Sequence, residues 1–404
     1  MLLYNVDVEP GRKTAMSSIM RTRPLGQSGI QASVVDLGTF AIGGWFWGGT
    51  DERTSIDAIR ASIDSGVTLI DTAPIYGFGL AERIVGKAIA GRRDTVVLAT
   101  KCGLRWDTDK GVFDGYSDDR APSKQPAKYR IHRYLGPESI AFEVERSLAR
   151  LGTDYLDLYQ THWQESTTPI EATMEALERL KRQGKIRAIG VSNVSVEQLA
   201  RYGRVASAQE KFNLLDRGIE ARGLVDHCVR EGIAVLSYFT LEQGLLTGTM
   251  PPDRVFPEGD TRRTNPLFSG DSIRRVNEAV NELRSIAERH HATVGQIVMA
   301  LTVLQRGITH MLVGARDARQ AEENARAGRL DLSNGDVAAA QSAVSRLASI
   351  RGATQRYGDH GAIGIGPSPE EVHRCVRQSW FPRDPWRSGM SPHPSRGAGS
   401  SSSA

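Results

Sequence analysis

The chain has 404 residues, 40% hydrophobic and 24% charged, with a formal net charge of +4 whose basic excess sits largely at the two ends. That length suits one large domain or two ordinary ones, and the composition is that of a soluble globular protein. No Lys/Arg stripe interleaved with aromatics points to nucleic acid, no apolar run is long enough for a membrane span, and three scattered cysteines (Cys102, Cys228, Cys375) argue against a disulfide framework or a zinc site.

Residues 1–20 are polar and aperiodic, with internal methionines, and read as a disordered extension lacking the apolar region of a secretory signal. A cytoplasmic location is the expectation that follows. Arg23 to Ser33 carries a Ser-Gly turn between short apolar pairs and reads as a hairpin. Eight buried strands are then predicted: Val34 to Gly38, Thr68 to Asp71, Val96 to Lys101, Leu156 to His162, Ile186 to Ser192, Ala206 to Gln209, Ala234 to Tyr238 and Met311 to Gly314. Helical patterns lie between and after them: Thr54 to Ser65, Leu80 to Ala90, Pro137 to Arg150, Pro169 to Gln183, Val196 to Tyr202, Ala221 to Glu231, Ile273 to Gln305 (read as two helices) and Gln320 to Ala327. Pro137 and Pro169 suit first helical turns, and Gly66, Gly184 and Gly232 suit helix ends.

Strand and helix alternating eight times predict an α/β fold of the closed (β/α)8, or TIM, barrel type, spanning 21–350. The open doubly wound alternative needs a glycine-rich turn after an early strand; the nearest look-alike, Gly361 to Gly366, has no strand before it. Two connections, Gly103 to Gly136 and Phe239 to Asp271, exceed plain turns, and both leave carboxyl ends of strands, where barrel enzymes build their sites. Residues 351–404, rich in Gly, Pro, Ser and Arg, read as a largely disordered tail.

Asp71, Lys101 and His162 end three different strands, and Tyr76 follows Asp71 by one short loop containing Pro74, Gly77 and Gly79. On the stretch alone, Asp71 could equally cap the next helix and Tyr76 could be a loop aromatic. In a barrel, however, strand ends converge on one mouth. A phenol is a poor acid near neutral pH; a lysine ammonium beside it favours phenolate, a carboxylate holds the lysine, and a histidine can orient a carbonyl. Such a set is a proton donor beside a polarised carbonyl, as carbonyl reduction needs, and the hydride must come from a nicotinamide. His290-His291 are neighbours that do not share a helix face, and His132, His360, His373 and His393 lack ligand spacing, so no metal site is expected.

These stretches resemble the aldo-keto reductase family from Arg23 to Arg346. The motifs are Asp71-Thr-Ala-Pro-Ile-Tyr76-Gly with Glu82, Leu-Ala-Thr-Lys101, Leu156-Asp-Leu-Tyr-Gln-Thr-His162 and Gly184-Lys-Ile-Arg-Ala-Ile-Gly-Val-Ser192-Asn193. Further on come Asn213-Leu-Leu-Asp-Arg217, Leu241-Glu-Gln-Gly-Leu-Leu-Thr-Gly248 and Gly314-Ala-Arg316 with Gln320, Glu323 and Asn324. Lys101-Cys-Gly and the Leu241 run resemble most the bacterial branch of methylglyoxal and inositol-operon reductases.

The resemblance implies NAD(P)H-dependent, reversible reduction of a small aldehyde or ketone. Tyr76 would be the general acid, Lys101 and Asp71 its tuning pair, and His162 the carbonyl-orienting group. It implies that Ser192, Asn193 and Gln209 hold the nicotinamide carboxamide, that Tyr238 stacks on its ring, and that Gly38 and Thr39 line the same region. Leu241, Gln243 and Leu246 would run under the pyrophosphate, and Gly314, Arg316, Gln320, Glu323 and Asn324 would bind the adenosine half. Arg316 can take a 2′-phosphate, helped by backbone N–H groups of the helix opening near Asp317, which favours NADP(H), although NAD(H) serves some relatives in this branch. Arg316 is otherwise a surface arginine. Trp45, Trp47, Trp106 and Trp163 are either core residues or an apolar wall for a carbonyl or sugar-like substrate. Two departures stand out: Thr240 replaces a usual proline, and Asp36 lies in a strand that is usually apolar or glycine-bearing. The rival reading is a cofactor-binding, redox-sensing interaction protein resembling the channel-associated β-subunits.

Overall fold

The computed structural model describes residues 19–47, 51–119, 122–123, 125–258 and 260–354. Most of the expected N-terminal extension, the tail from residue 355 on, the Gly361 to Gly366 run, Cys375, His360, His373 and His393 lie outside the described residues.

A two-stranded hairpin, β1 (Thr22–Pro24) and β2 (Gln31–Ser33), opens the described chain, its turn closed by Leu25 N–H donating to Ile30 O at 2.8 Å. Then come β3 (Val35–Gly38), α1 (Glu52–Asp64), β4 (Leu69–Asp71), α2 (Leu80–Ile89) and β5 (Val97–Cys102). The first long connection holds an antiparallel sheet of β6 (Leu104–Arg105), β7 (Val112–Ser117), β8 (Pro122–Ser123) and β9 (Tyr129–Arg133). The alternation resumes with α3 (Pro137–Leu151), β10 (Leu156–Thr161), α4 (Ile170–Arg182), β11 (Ile186–Ser192), α5 (Val196–Tyr202) and β12 (Ser207–Lys211). It continues with α6 (Gly218–Ala221), α7 (Leu224–Glu231), β13 (Ala234–Tyr238), α8 (Gly270–Asn281), α9 (Arg284–Arg289) and α10 (Val294–Val303). The last elements are β14 (Ile308–Val313), α11 (Ala318–Ala327) and α12 (Asn334–Thr354).

Eight parallel strands close in the order β10-β11-β12-β13-β14-β3-β4-β5, the (β/α)8 barrel expected. The period of two along each strand decides what enters it. On β5, Leu98 and Cys102 join the apolar layer under the helices, while Ala99 packs inside the barrel with Leu69, Leu158 and Ala188. Leu25, Ile30 and Ala32 of the hairpin belong to that inner cluster, so the hairpin plugs the amino-terminal end. The carboxyl-terminal end is left open.

Several expectations need correction. The helix read from Ala221 is two, because Gly223 adopts φ 75° between α6 and α7. Ile273 to Gln305 is three helices; the last starts at a capping box in which Thr293 Oγ accepts from Gln296 N–H and Gln296 Oε1 accepts from Thr293 N–H. The eighth barrel strand begins at Ile308, three residues before Met311. Neither the sheet in the first long connection nor α12 is predicted from the sequence. Helix α12 buries Ala340, Ala343, Leu347 and Ile350 beside α8, and its Asp336 accepts from Arg289 and from buried His290 at 2.7 and 2.9 Å. It runs past the expected boundary at residue 350, and Met20, expected in the extension, is buried in the main core.

Asp36 also acquires a setting. It is fully buried, its Oδ1 accepts from Ser33 Oγ at 2.8 Å, and its Oδ2 is unpartnered, 3.5 Å from His310 Nδ1. That ring nitrogen donates to Ser33 O at 2.9 Å, so it carries a proton. Burial raises the Asp36 carboxyl well above the usual range and lowers His310. A raised carboxyl keeps a proton in the folded chain that the unfolded chain releases near pH 4, so its contribution to stability is lost as pH rises. Urea unfolding between pH 4 and 8 should therefore show the stability of the wild type falling relative to Asp36→Asn as pH increases.

Candidate active site

Asp71 closes β4 at the open end of the barrel, paired in register with Gly38 of β3 and Ala99 of β5. The turn after it, with Gly79 N–H donating to Pro74 O at 2.7 Å, carries Tyr76 back over the mouth. Gly77 has φ 64°, and a Cβ there would lie 2.3 Å from Gly43 O, so only glycine lets this loop close on the loop after β3. The Tyr76 ring packs 5.0 Å from that of Phe40 and edge-on to His162 at 5.8 Å.

Lys101 reaches the same point from β5. Its fully buried Nζ donates to Asp71 Oδ2 at 2.6 Å, to Thr72 O at 2.9 Å and to Tyr76 OH at 3.2 Å. Helix α2 is capped at Gly79 without a side chain, which removes the alternative that Asp71 caps it. Burial lowers the Lys101 ammonium against the pull of Asp71. Burial, with Lys101 and then Arg133 nearby, pushes His162 well below the usual imidazole range, so its ring is neutral.

Tyr76 departs from expectation. Burial first, and the Asp71 charge second, raise its phenol well above the usual value. Lys101 does not make the resting phenol acidic here; the O–H stays protonated. What an ammonium at 3.2 Å can do is stabilise the negative charge that develops when the proton leaves.

Asp71 Oδ1 accepts two amides, Gln209 Nε2 at 2.9 Å and Gln160 Nε2 at 3.2 Å. Gln160 has no assignment from the sequence. The available signal is its place two residues before His162 on β10, which sends it to the barrel interior.

A cleft of about 620 Å³ runs from this cluster across the barrel mouth. Asp71, Tyr76, His162, Gly38, Ser192, Asn193, Gln209, Tyr238, Leu241, Gln243, Gly314, Arg316, Gln320, Glu323, Asn324, Trp47 and Trp163 line it. Asn193, at φ 57°, donates through Nδ2 to His162 O at 3.0 Å and accepts from Tyr238 OH at 2.7 Å. Beneath it Glu210 accepts from Val194 N–H at 2.9 Å, its carboxyl pushed up to about 7 by burial. Gln320 Oε1 accepts from Arg316 N–H at 3.0 Å, while Gln320 N–H already donates to the capping Asp317 at 2.8 Å, leaving that group unavailable to an anion.

Four residues assigned to the cofactor or the substrate wall do not line the cleft. Thr39 is buried behind it, its Oγ donating to Asp71 O at 3.0 Å. Leu246 is fully buried in the apolar cluster of α8 and α10. Trp45 is fully buried because its indole N–H finds Ser117 Oγ of β7 at 2.9 Å. Trp106 packs edge-on against Phe78 at 5.4 Å. Both tryptophans turn on the small sheet, whose pairing no local pattern announces.

Phe40, Phe239, Arg254, Arg262 and Arg319 also line the cleft, without assignment from the sequence. Arg262 pairs with Asp260 at 2.7 Å and lies 4.8 Å over the Trp47 ring, joining the loop after β13 to the loop after β3. The backbone after β13 is held despite Thr240: Thr240 Oγ donates to Leu312 O at 3.3 Å. Phe239, Glu242 and Gln243 all take positive φ there, and buried Glu242 accepts from Lys211 at 3.1 Å and Asn213 at 2.7 Å.

A barrel of this form with such a mouth defines a class of oxidoreductase, and the chain belongs to the aldo/keto reductase family, whose model matches residues 35–345. It is 41% identical over 309 residues to aldo-keto reductase YhdN of Bacillus subtilis, covering 75% of this chain and 87% of that protein. It is 38% identical over 327 residues to the NADH-specific methylglyoxal reductase of Escherichia coli, covering 79% and 96%. Among solved structures, the glycerol dehydrogenase from Gluconobacter oxydans aligns with a TM-score of 0.70 at 35% identity, over 82% of this chain and 96% of that one. An aldo-keto reductase from Klebsiella pneumoniae in complex with NADPH aligns at 0.58 and 27%, over 80% and 94%. The family carries out NAD(P)H-dependent carbonyl reduction. Among the described residues no helix is long and apolar enough to cross a membrane.

Proposed function

We propose that the chain reduces small aldehydes or ketones, with Tyr76 as proton donor to the carbonyl oxygen. The observation that carries this reading is Lys101 Nζ bridging Asp71 and Tyr76 at the floor of the cleft. The cleft fits an extended dinucleotide, since polar side chains from Ser192 to Asn324 line its length. Ser192, Asn193 and Gln209 would hold the carboxamide, the ring of Tyr238 would face the nicotinamide, and Leu241 and Gln243 would lie along the pyrophosphate. Bound there, the nicotinamide supplies a hydride to the carbonyl carbon. Neutral His162 orients the carbonyl oxygen towards Tyr76, whose O–H proton moves to that oxygen as Lys101 stabilises the phenolate left behind. This connected set favours turnover over a purely cofactor-sensing role. The test is consumption of NADPH or NADH by purified protein with a panel of aldehydes, ketoaldehydes, ketones and sugars; no turnover with any of them would overturn it.

Arg316 supports NADPH use, because its guanidinium sits exposed on the rim of the cleft. The relative named for NADH specificity makes the comparison worth measuring. Arg316→Ala should raise the KM for NADPH by about tenfold and leave that for NADH within about twofold, as loss of one phosphate contact requires. Equal changes for both cofactors would show that the guanidinium does not read the 2′-phosphate.

The tryptophans divide. Trp47→Ala should raise KM for the carbonyl with little loss of stability. Trp45→Ala should destabilise by about 3–5 kcal/mol, as large-to-small changes in a core do, and leave that KM near wild type. Thermal melts and carbonyl saturation curves on the two variants check both.

A further inference from the structure

Asp71 has two carboxylate oxygens, and the proton-donating chain uses only one of them. Oδ2 faces Lys101 at 2.6 Å. The torsion that turns a carboxylate is soft, so the oxygen on Lys101 stays there only if its twin is also held. Gln209 supplies one such hold from the wall of the cleft, and Gln160 supplies the other from beneath.

We propose that Gln160 is a positioning residue for proton transfer: its amide, seated by Ser207 and given room by Gly190, fixes Asp71 so that Lys101 stays aligned on Tyr76. This rests on the roles proposed above for Tyr76 and Lys101. The sense of the amide follows from Asp71, whose carboxylate, paired with Lys101, only accepts: Nε2 therefore faces Oδ1 at 3.2 Å, and Oε1 is left to accept from Ser207 Oγ at 3.4 Å. A Cβ on Gly190 of β11 would lie 2.4 Å from Ser207 Oγ and 2.8 Å from Gln160 Cγ. Glycine there opens the space that the glutamine fills. Gln160 is fully buried and does not line the cleft, so it acts on turnover without touching a ligand. An interior that needed only filling would take an apolar side chain, as at Leu158 two residues earlier on the same strand, because a buried amide is unfavourable unless bonded.

The experiment compares Gln160→Leu, Gln160→Glu and Ser207→Ala with wild type and Tyr76→Phe, measuring kcat and cofactor KM from pH 5 to 9. Gln160→Leu should lower kcat by about tenfold at every pH, with cofactor KM unchanged, as a small misplacement of a reacting group does. Gln160→Glu keeps the shape but donates to Asp71 only while the introduced carboxyl is protonated; Asp71 and Lys101 are the charged groups in its network. Its kcat should approach wild type at the acid end and fall as pH rises, a profile that loss of packing does not produce. Ser207→Ala, the mildest change, should lower kcat about twofold to fivefold and keeps the idea testable if the leucine variant does not fold. Wild-type kcat and pH profiles in the folded variants, with Tyr76→Phe inactive, would overturn the role of Gln160 alone. Turnover surviving in Tyr76→Phe would instead overturn the reading on which it rests.

Discussion

Tyr76→Phe should lower kcat for carbonyl reduction by about 10²- to 10⁴-fold, the usual contribution of a positioned general acid, while cofactor binding and stability stay near wild type. Phenylalanine keeps the ring against Phe40 and His162, and Tyr76 is at the edge of full burial, so little packing is lost. Steady-state rates and a cofactor fluorescence titration on the same preparation separate the two effects. The pH profile carries a second expectation. With the phenol raised and the imidazole lowered by burial, neither group titrates close to its ordinary value, so kcat should lack a His162 limb near pH 6.5. Turnover in the phenylalanine variant within a few-fold of wild type would remove Tyr76 from the mechanism.

Lys101→Met should remove turnover and destabilise the fold by about 3–5 kcal/mol, since it leaves the Asp71 carboxylate buried without its cation. Asp71→Asn should do comparable damage by stranding the ammonium, whose Nζ is fully buried with Thr72 O and Tyr76 OH as its remaining partners. The double variant decides the cause. With neither charge present, most of the lost stability should return, and activity should not, because nothing then stabilises the phenolate. Urea unfolding of the four proteins in a double-mutant cycle gives the coupling directly. Additive losses would mean that the two side chains do not act as a pair.

Much of the barrel was legible because its signal is local. The apolar strands Ile186 to Ser192 and Ala234 to Tyr238 are bounded by the residue types that end helices and strands, and the structure places both with the predicted limits. Glycine and proline fixed punctuation at Pro137, Gly184 and Gly232 for reasons of backbone sterics alone. The four polar residues at the mouth were legible for a similarly local reason: Asp71 ends one buried strand, Lys101 is the penultimate residue of a second and His162 immediately follows a third, where a charge is unusual, and Tyr76 lies one short turn after Asp71. Helix α12 was not. Its alanines and serines give too little contrast between faces to mark a buried stripe, and its place is set by Asp336 meeting His290 and Arg289.

By itself the sequence determined the alternation of strand and helix, the parity that sends Lys101 inward, and the residue types able to move a proton to a carbonyl. Only the tertiary structure decided how those residues are tuned and which neighbours join them. Tyr76 is raised, against expectation, because its burial depends on elements distant in the chain. Trp45 is core and Trp47 faces the cleft because a sheet pairing supplies Ser117 to one and Arg262 reaches across to the other. Gln160 meets Asp71 across 89 positions of sequence. Periodicity and propensity act over a few residues, whereas burial and hydrogen-bond partners are properties of the closed barrel, and these set the charge states at its mouth.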